Sequence, residues 1–131
     1  MKKNKVVYNT SFGGFGLSDE AVRWLEYNAK DEKVRNFLQA ERERVSKLDK
    51  KGLYGFTVEN LMQSSLKYDF KILRHHPDLI KVVETLKRKA DGDYAELAIA
   101  KINGNLYRID EYDGAETVIE PEDYKWININ D

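Results

Sequence analysis

The sequence has no cysteine among its 131 residues, which excludes a disulfide framework and thiolate chemistry and fits a reducing compartment. Only two prolines occur, Pro77 and Pro121, and no linker-like run divides the chain. No apolar stretch approaches the roughly 20 residues that a membrane-spanning helix needs. We therefore expect a single domain over residues 1–131, located in the cytoplasm and not associated with a membrane.

The chain also lacks an excess of charge of either sign. It has 22 Lys and Arg against 23 Asp and Glu, a net charge of −1, which argues against bulk attraction to nucleic acid. The charges are nevertheless uneven, because residues 30–51 are rich in basic side chains and residues 110–131 in acidic ones. These segments either form solvated faces or pair with each other within the fold or across a dimer. The sequence does not choose between monomer and dimer.

Strand and helix signals alternate in the first half of the chain. A β-branched and aromatic run predicts a strand over residues 5–10. A glycine-rich turn follows, and Ser18 after it is a favourable N-cap for a first helix. Apolar residues at helical spacing predict a second helix over residues 34–48, with Gly52 as its stop.

Two further helices are indicated before the C-terminal third. Thr57 can cap a short third helix, and residues 68–72 fit either a strand or an extended connector. His76 at the cap and Pro77 at the first helical position predict a fourth helix. Basic residues 87–89 would lie in its last turn, where the helix dipole favours positive charge.

The C-terminal third has β patterns. Two of them, residues 94–102 and 106–112, flank Asn103-Gly104, a strong hairpin signal whose register stays open between a two- and a three-residue turn. Asp113-Gly114 is a second turn signal, and residues 126–129 predict a last short strand. The order predicts an α+β fold with an N-terminal strand, several helices and a C-terminal antiparallel β-meander.

Residues 8–18 form the first candidate site, because a strand runs through several glycines into a capped helix. Glycines let a backbone approach a ligand closely, and the N–H groups at a helix start favour an anion. The spacing differs from the dinucleotide fingerprint and lacks the lysine of a phosphate-binding P-loop. The alternative is a tight turn in which Phe12 and Phe15 fill the core.

Arg74-His75-His76-Pro77-Asp78 is the second candidate site. Arg74 can hold a phosphate or carboxylate with two hydrogen bonds, or it can form a salt bridge to the acidic C-terminal end. Adjacent histidines do not lie on one helix face, and no pair is spaced like metal ligands. We therefore expect no metal site here and regard His76 as a helix cap.

A run of tyrosine, arginine and carboxylate residues over 107–116 is the third candidate site. Glu111 or Glu116 can accept hydrogen bonds from ribose hydroxyls or a base amino group. Two carboxylates can also act as general acid and base, as in glycoside hydrolysis. The alternative is a polar sheet face that ends in an Asp-Gly turn.

Three segments of this sequence, YNTSFGGFGLS, RHHPDL and YRIDEYDGAE, together resemble a family of small proteins encoded by bacteriophages and prophages. The resemblance implies an accessory protein in the cytoplasm of an infected bacterial cell, and it carries no established activity. Small phage proteins often counter host defences by sequestering a nucleotide signal or by binding a host protein. Origin and fold do not by themselves fix function.

We expect a binding module without a cofactor that sequesters an anionic, nucleotide-like small molecule. Backbone N–H groups and Arg74 would hold phosphate, while aromatic rings would stack on a base. An Arg74→Ala change is then expected to abolish binding and leave the fold intact. The predicted ligand-binding residues are Tyr8, Gly13, Gly14, Phe15, Gly16, Ser18, Arg74, Arg108, Glu111, Tyr112 and Glu116.

Two alternatives stay open. The first is an inhibitor that covers a host enzyme with its helices over residues 20–50 and its acidic C-terminal end. The second is a small enzyme that processes a nucleotide or glycan with Glu111 or Glu116.

Overall fold

The computed structural model describes residues 4–49, 57–68, 70–124 and 126–130, which form helices flanked by two antiparallel strand pairs. The α-helices are α1 Asp19–Asn28, α2 Glu32–Asp49, α3 Val58–Tyr68 and α4 Pro77–Leu86. The strands are β1 Asn4–Asn9, β2 Leu97–Ile102, β3 Arg108–Tyr112 and β4 Ala115–Ile119. The α+β class predicted from the sequence is confirmed. Among these residues, no helix combines the length and apolarity that crossing a membrane requires.

The strand pairing departs from the sequence prediction at Asn103-Gly104. β2 pairs antiparallel with β1, with Val7 opposite Ile99, and not with β3 across the Asn-Gly turn. The predicted hairpin is therefore wrong. Val6 and Val7 point to opposite faces of β1 and both have no exposed surface, so β1 is covered on both sides. Pairing with this buried strand outweighs the local turn preference, because it satisfies β1's backbone groups away from water.

The second turn signal is confirmed. β3 and β4 form an antiparallel pair across Asp113-Gly114, whose φ angles of 51° and 92° are those of a tight two-residue hairpin turn. A strand over residues 126–129 is not formed, so that prediction is wrong. Trp126, Ile127 and Ile129 lie outside both strand pairs. A strand without a hydrogen-bonded partner strand has backbone N–H and C=O groups that only water can satisfy.

The predicted helix starts are confirmed by their caps. The Ser18 hydroxyl accepts a hydrogen bond from the Ala21 N–H at 3.1 Å, and the Thr57 hydroxyl accepts one from Asn60 at the same distance. His76 Nδ1 accepts one from the Asp78 N–H at 3.0 Å. Each cap satisfies a donor that the first helical turn leaves without a partner.

The end of α4 and the segment between α3 and α4 differ from the sequence prediction. α4 ends at Leu86, and Lys87, with a φ of 55°, begins a separate 3-10 turn over Lys87–Ala90. Basic residues 87–89 therefore lie beyond the α-helix and not in its last turn. Of the segment 68–72, predicted as a strand or an extended connector, Tyr68 ends α3, residue 69 lies outside the described residues, and residues 70–72 belong to no strand and include a bend at Ile72. The proposed stop at Gly52 lies outside the described residues.

One large aliphatic side chain from each helix fills the core. These side chains belong to Leu25, Leu38, Met62 and Leu79, and none is more than 1% exposed. Val7 of β1 packs into the same cluster, which joins the helices to the first strand pair. Burying each such side chain stabilises the fold by roughly 1.5–3 kcal/mol. The core therefore fixes the position of β1 and of the glycine-rich segment that follows it.

Candidate functional site

The glycine loop, residues 11–17 between β1 and α1, is held between two other backbone segments. A Cβ atom on Gly13 would lie 2.0 Å from the carbonyl oxygen of Tyr94. On the other side, a Cβ on Gly114 of the β3–β4 turn would lie 2.3 Å from the carbonyl oxygen of Phe12. Glycine is required at these contacts because any side chain would separate the two backbones.

Asn9, at the end of β1, connects these segments and has no exposed surface. Its side-chain amide donates to the carbonyl oxygens of Ser11 at 2.8 Å and Gly114 at 2.9 Å. Its side-chain oxygen accepts from the Glu96 N–H at 2.8 Å. Asn9 was not among the site residues predicted from the sequence. The available signal was a polar residue at the end of an apolar strand, directly before a glycine-rich turn.

Arg74 forms the salt bridge to the acidic C-terminal part of the chain that the sequence left open as an alternative. Its guanidinium donates to both carboxylate oxygens of Glu116, at 2.7 and 2.9 Å, and lies 3.6 Å from the centre of the Phe15 ring. Phe15 is buried, whereas Phe12 is 70% exposed. Of the two phenylalanines expected to fill the core, only Phe15 does so.

Glu116 has a second structural role. One of its carboxylate oxygens also accepts from the Asn9 N–H at 2.8 Å, and its side chain is only 9% exposed. Arg74 and Glu116 therefore neutralise each other beneath the glycine loop. Neither charge is left over for a ligand or for acid–base chemistry in this arrangement.

The glycine loop also lines a cavity of about 240 Å³, called here the glycine-loop cavity. Its other walls are one face of α3 and residues 92–95. Asn60, Gln63, Ser64 and Lys67 form the α3 wall, since positions three, four and seven apart share a helix face. The Lys67 ammonium lies 5.9 Å from the centre of the Tyr94 ring. This wall was not part of the sequence prediction.

The predicted site residues are divided by the structure. Those that line the glycine-loop cavity are Gly13, Gly14, Phe15 and Gly16. The others lie elsewhere: Tyr8 is half-buried on β1, Ser18 caps α1, and Arg74 and Glu116 form the ion pair. Arg108 pairs with Asp110 at 3.0 Å above the Tyr124 ring. Glu111 and Tyr112 are exposed on β3.

His76 is a structural residue, as expected. While Nδ1 accepts the cap bond, Nε2 lies 2.9 Å from Oδ2 of Asp31. This hydrogen bond is the main reason that the pKa of Asp31 is lowered from its ordinary value of 3.8. Asp78, which is buried, accepts from the N–H groups of Lys30 and Asp31 at 3.0 Å. In the described part of the chain, no three His, Cys, Asp or Glu residues are grouped to hold a metal ion.

Comparison of the chain with protein families, with curated proteins and with solved structures gave no match. A fold class alone does not fix a function. The functional proposal therefore rests on the chemistry of the cavity.

Proposed function

We propose that this protein binds and sequesters a small anionic, nucleotide-like molecule in the glycine-loop cavity, in the cytoplasm of a phage-infected bacterial cell. The observation that supports this proposal is the meeting of three groups at one cavity. These are the glycine backbone, the Lys67 ammonium and the exposed ring of Tyr94. The cavity, at about 240 Å³, is smaller than the roughly 300–1,000 Å³ usual for small-molecule sites, so we expect it to hold the phosphate end of the ligand while the base stays at its mouth.

Lys67 is the group best placed to hold phosphate. It is the one cationic side chain among the described residues that line the cavity, and its Cε would lie 3.1 Å from a Cβ on Gly14. Its side chain therefore lies against Gly14 of the glycine loop. Gln63 is less available, since its amide already donates to Asp19 at 2.9 Å. A lysine ammonium is a compact point charge, which suits a phosphate oxygen.

Tyr94 can stack on a base at the mouth of the cavity. Its side chain is 75% exposed, while its backbone is fixed by the Gly13 contact and by the Ser11 hydroxyl, which donates to the Tyr94 carbonyl oxygen. Stacking on such a ring contributes about 1–3 kcal/mol per base. Asp93, which also lines the cavity, can accept from a hydroxyl or amino group. Asp93 thus takes the role that the sequence assigned to Glu111 or Glu116.

Thermal unfolding against mono-, di- and cyclic nucleotides tests this proposal. A ligand at about 100 times its Kd should stabilise the protein by about 2.7 kcal/mol, which raises the Tm by several degrees. We expect the shift in the wild type and in the control Lys101→Ala, whose exposed side chain lies outside the cavity. It should be lost in Lys67→Ala and reduced in Tyr94→Ala. No change in Tm with any nucleotide, or an equal shift in Lys67→Ala, would contradict the proposal.

Inhibition of a host protein is the second candidate function. Three apolar side chains close together in the chain are almost fully exposed: Trp126 at 94%, Ile127 at 96% and Ile129 at 96%. Exposed apolar clusters of this kind mark protein interaction sites. A pull-down from bacterial lysate should capture one protein with the wild type and lose it when Trp126 and Ile127 are both replaced by Ser. Equal capture by both proteins would exclude this segment as the contact.

A further inference from the structure

A second concave site lies between α4, the start of β1 and the segment before β3. It is a cleft of about 480 Å³, called here the histidine cleft because His75 stands in its wall. This volume is within the range of roughly 300–1,000 Å³ that is usual for small-molecule sites. None of its lining residues lines the glycine-loop cavity, so the two sites can be changed separately.

His75 is held in a fixed position by its neighbours. The carbonyl oxygen of Arg74 accepts from the Val7 N–H at 2.9 Å, and the following residue, His76, caps α4. His75 Nδ1 lies 2.7 Å from the Tyr107 hydroxyl, and the two rings pack edge to face with centres 5.7 Å apart. We assign the hydroxyl as the donor to Nδ1. Nε2 then carries the ring proton and is a hydrogen-bond donor.

The charged side chains of the cleft leave one positive charge without a partner. Lys5 and Glu84 form an ion pair at 2.7 Å and neutralise each other. Lys81, on the same face of α4 as Glu84, has no ion-pair partner among the residues described. The Asn4 amide donates to Oδ1 of Asn105 at 3.3 Å, which leaves the Asn105 amide N–H groups as donors. The side chains of Lys81, His75 and Asn105 therefore offer hydrogen-bond donors to the cleft, which favours an acceptor group on the ligand.

The remaining lining of the cleft is apolar. Its accessible apolar surface comes from Pro77, which is exposed, and Ile80, which is partly buried against the core, whereas Val6 and Ile102 are almost fully buried. An apolar surface beside donor groups matches a ring that carries one acidic substituent. The ring replaces water over Pro77 and Ile80, while the acidic group accepts the hydrogen bonds.

We propose that the histidine cleft binds a small organic anion, with its ring against Pro77 and Ile80 and its phosphate or carboxylate on Lys81 and His75. Tyr107 is a positioning residue in this arrangement, since it acts on the ligand through His75. This site is independent of the glycine-loop cavity and of the ligand proposed for it.

The test is an NMR titration of the ¹⁵N-labelled protein with phenyl phosphate, benzoate and inorganic phosphate. Phenyl phosphate should shift the amide signals of His75, Ile80 and Lys81 and bind at least tenfold more tightly than inorganic phosphate. The preference between phenyl phosphate and benzoate identifies the acidic group. Lys81→Gln should weaken binding at least tenfold, whereas the exposed control Lys101→Gln should leave it unchanged.

Two further variants test the independence of the histidine cleft and the role of Tyr107. Lys67→Ala should leave phenyl phosphate binding unchanged. The histidine cleft can therefore bind its ligand even if no ligand binds the glycine-loop cavity. Tyr107→Phe keeps the aromatic ring but removes the hydroxyl, and should weaken binding several-fold because Nε2 is no longer held as a donor. The absence of shifts with both ring anions, equal affinity for inorganic phosphate, or unchanged affinity in Lys81→Gln would each overturn the proposal.

Discussion

Polar side chains with little exposure hold the glycine loop in place. Arg74 and Glu116 join the connector before α4 to β4. Asn9 joins β1 to the glycine loop at Ser11 and to the β3–β4 turn at Gly114. Every described buried side-chain N or O atom has a hydrogen-bond partner. Removing one member of such a set leaves another buried polar group without a partner. This destabilises the fold by more than the hydrogen bond itself contributes to stability.

Arg74→Ala should therefore destabilise the fold, in contrast to the sequence-based expectation that it leaves the fold intact. The change leaves the Glu116 carboxylate, 9% exposed, without its cation. We expect a loss of about 2–3 kcal/mol in the free energy of unfolding, less than the roughly 3–5 kcal/mol of a fully buried pair because Arg74 is partly solvated. Urea unfolding measures it. Arg108→Ala, which breaks an exposed pair, should cost under about 1 kcal/mol, and equal losses would contradict the structural role of the Arg74–Glu116 pair.

Asn9→Asp should also destabilise the protein, although the two side chains have nearly the same shape. An ionised carboxylate cannot donate hydrogen bonds to the carbonyl oxygens of Ser11 and Gly114, and its negative charge is repelled by them. We expect a loss of about 2 kcal/mol or more in urea unfolding at pH 7. Asn4→Asp is the matched control on the same strand, because Asn4 is exposed and water replaces its bonds. A loss no larger than in that control would argue against Asn9 as the connecting residue.

At the scale of elements, α2 and α3 are joined by a polar contact on their partly buried faces. The Glu41 carboxylate accepts from Arg44 of the same helix at 2.8 Å and from the Ser65 hydroxyl of α3 at 2.5 Å. These two hydrogen bonds, that from Arg44 first, lower the pKa of Glu41 below its ordinary value of 4.5. Since the folded state favours the ionised carboxylate, the contact stabilises the protein only where Glu41 is charged.

Glu41→Gln should consequently change the dependence of stability on pH. The Glu41 contribution is fully present above the ordinary pKa of 4.5 and is lost as the pH falls through the lowered pKa of the folded state. The variant should be less stable than the wild type at pH 7, and the difference should shrink as the pH falls below 4.5. Urea unfolding over this pH range measures the difference. The exposed neighbour Glu43 supplies the control, Glu43→Gln, and a constant difference at all pH values would contradict the linkage.

At the scale of the whole molecule, the β3–β4 pair is attached to the rest of the fold through its turn. The backbone of Gly114 contacts the glycine loop at Phe12, and its carbonyl oxygen accepts a hydrogen bond from the Asn9 side chain. Gly114 directly precedes β4, which carries Glu116. The pair has no ladder hydrogen bonds to β1 or β2 among the described residues. These side-chain and turn contacts therefore determine where the pair lies against β1.

Gly114→Ala should disturb this attachment. The φ of 92° disfavours a side chain, and the new Cβ would lie 2.3 Å from the Phe12 carbonyl oxygen. We expect a loss of more than about 1 kcal/mol in the free energy of unfolding, measured with urea. Gly104→Ala is the control, because a Cβ there meets no atom within 4 Å, and it should be neutral or stabilising by up to about 1 kcal/mol. Similar effects at both glycines would contradict the close contact.

The sequence by itself determined the features that depend on neighbouring residues. Ser18, Thr57 and His76 begin their helices through bonds to N–H groups two or three positions away, and Asp113-Gly114 turns the chain through its own φ angles. Such interactions need no knowledge of the rest of the fold. The α+β class follows from the same local signals.

Only the tertiary structure decided which distant residues meet. Asn103-Gly104 has the local signal of a hairpin, but β2 pairs with the buried strand β1 instead. Arg74 was a candidate for phosphate, but it meets Glu116, 42 positions away, whereas Lys67 reaches the glycine loop. Contacts over such separations depend on how the whole core packs, because burial and charge pairing gain free energy only when the complete fold excludes water.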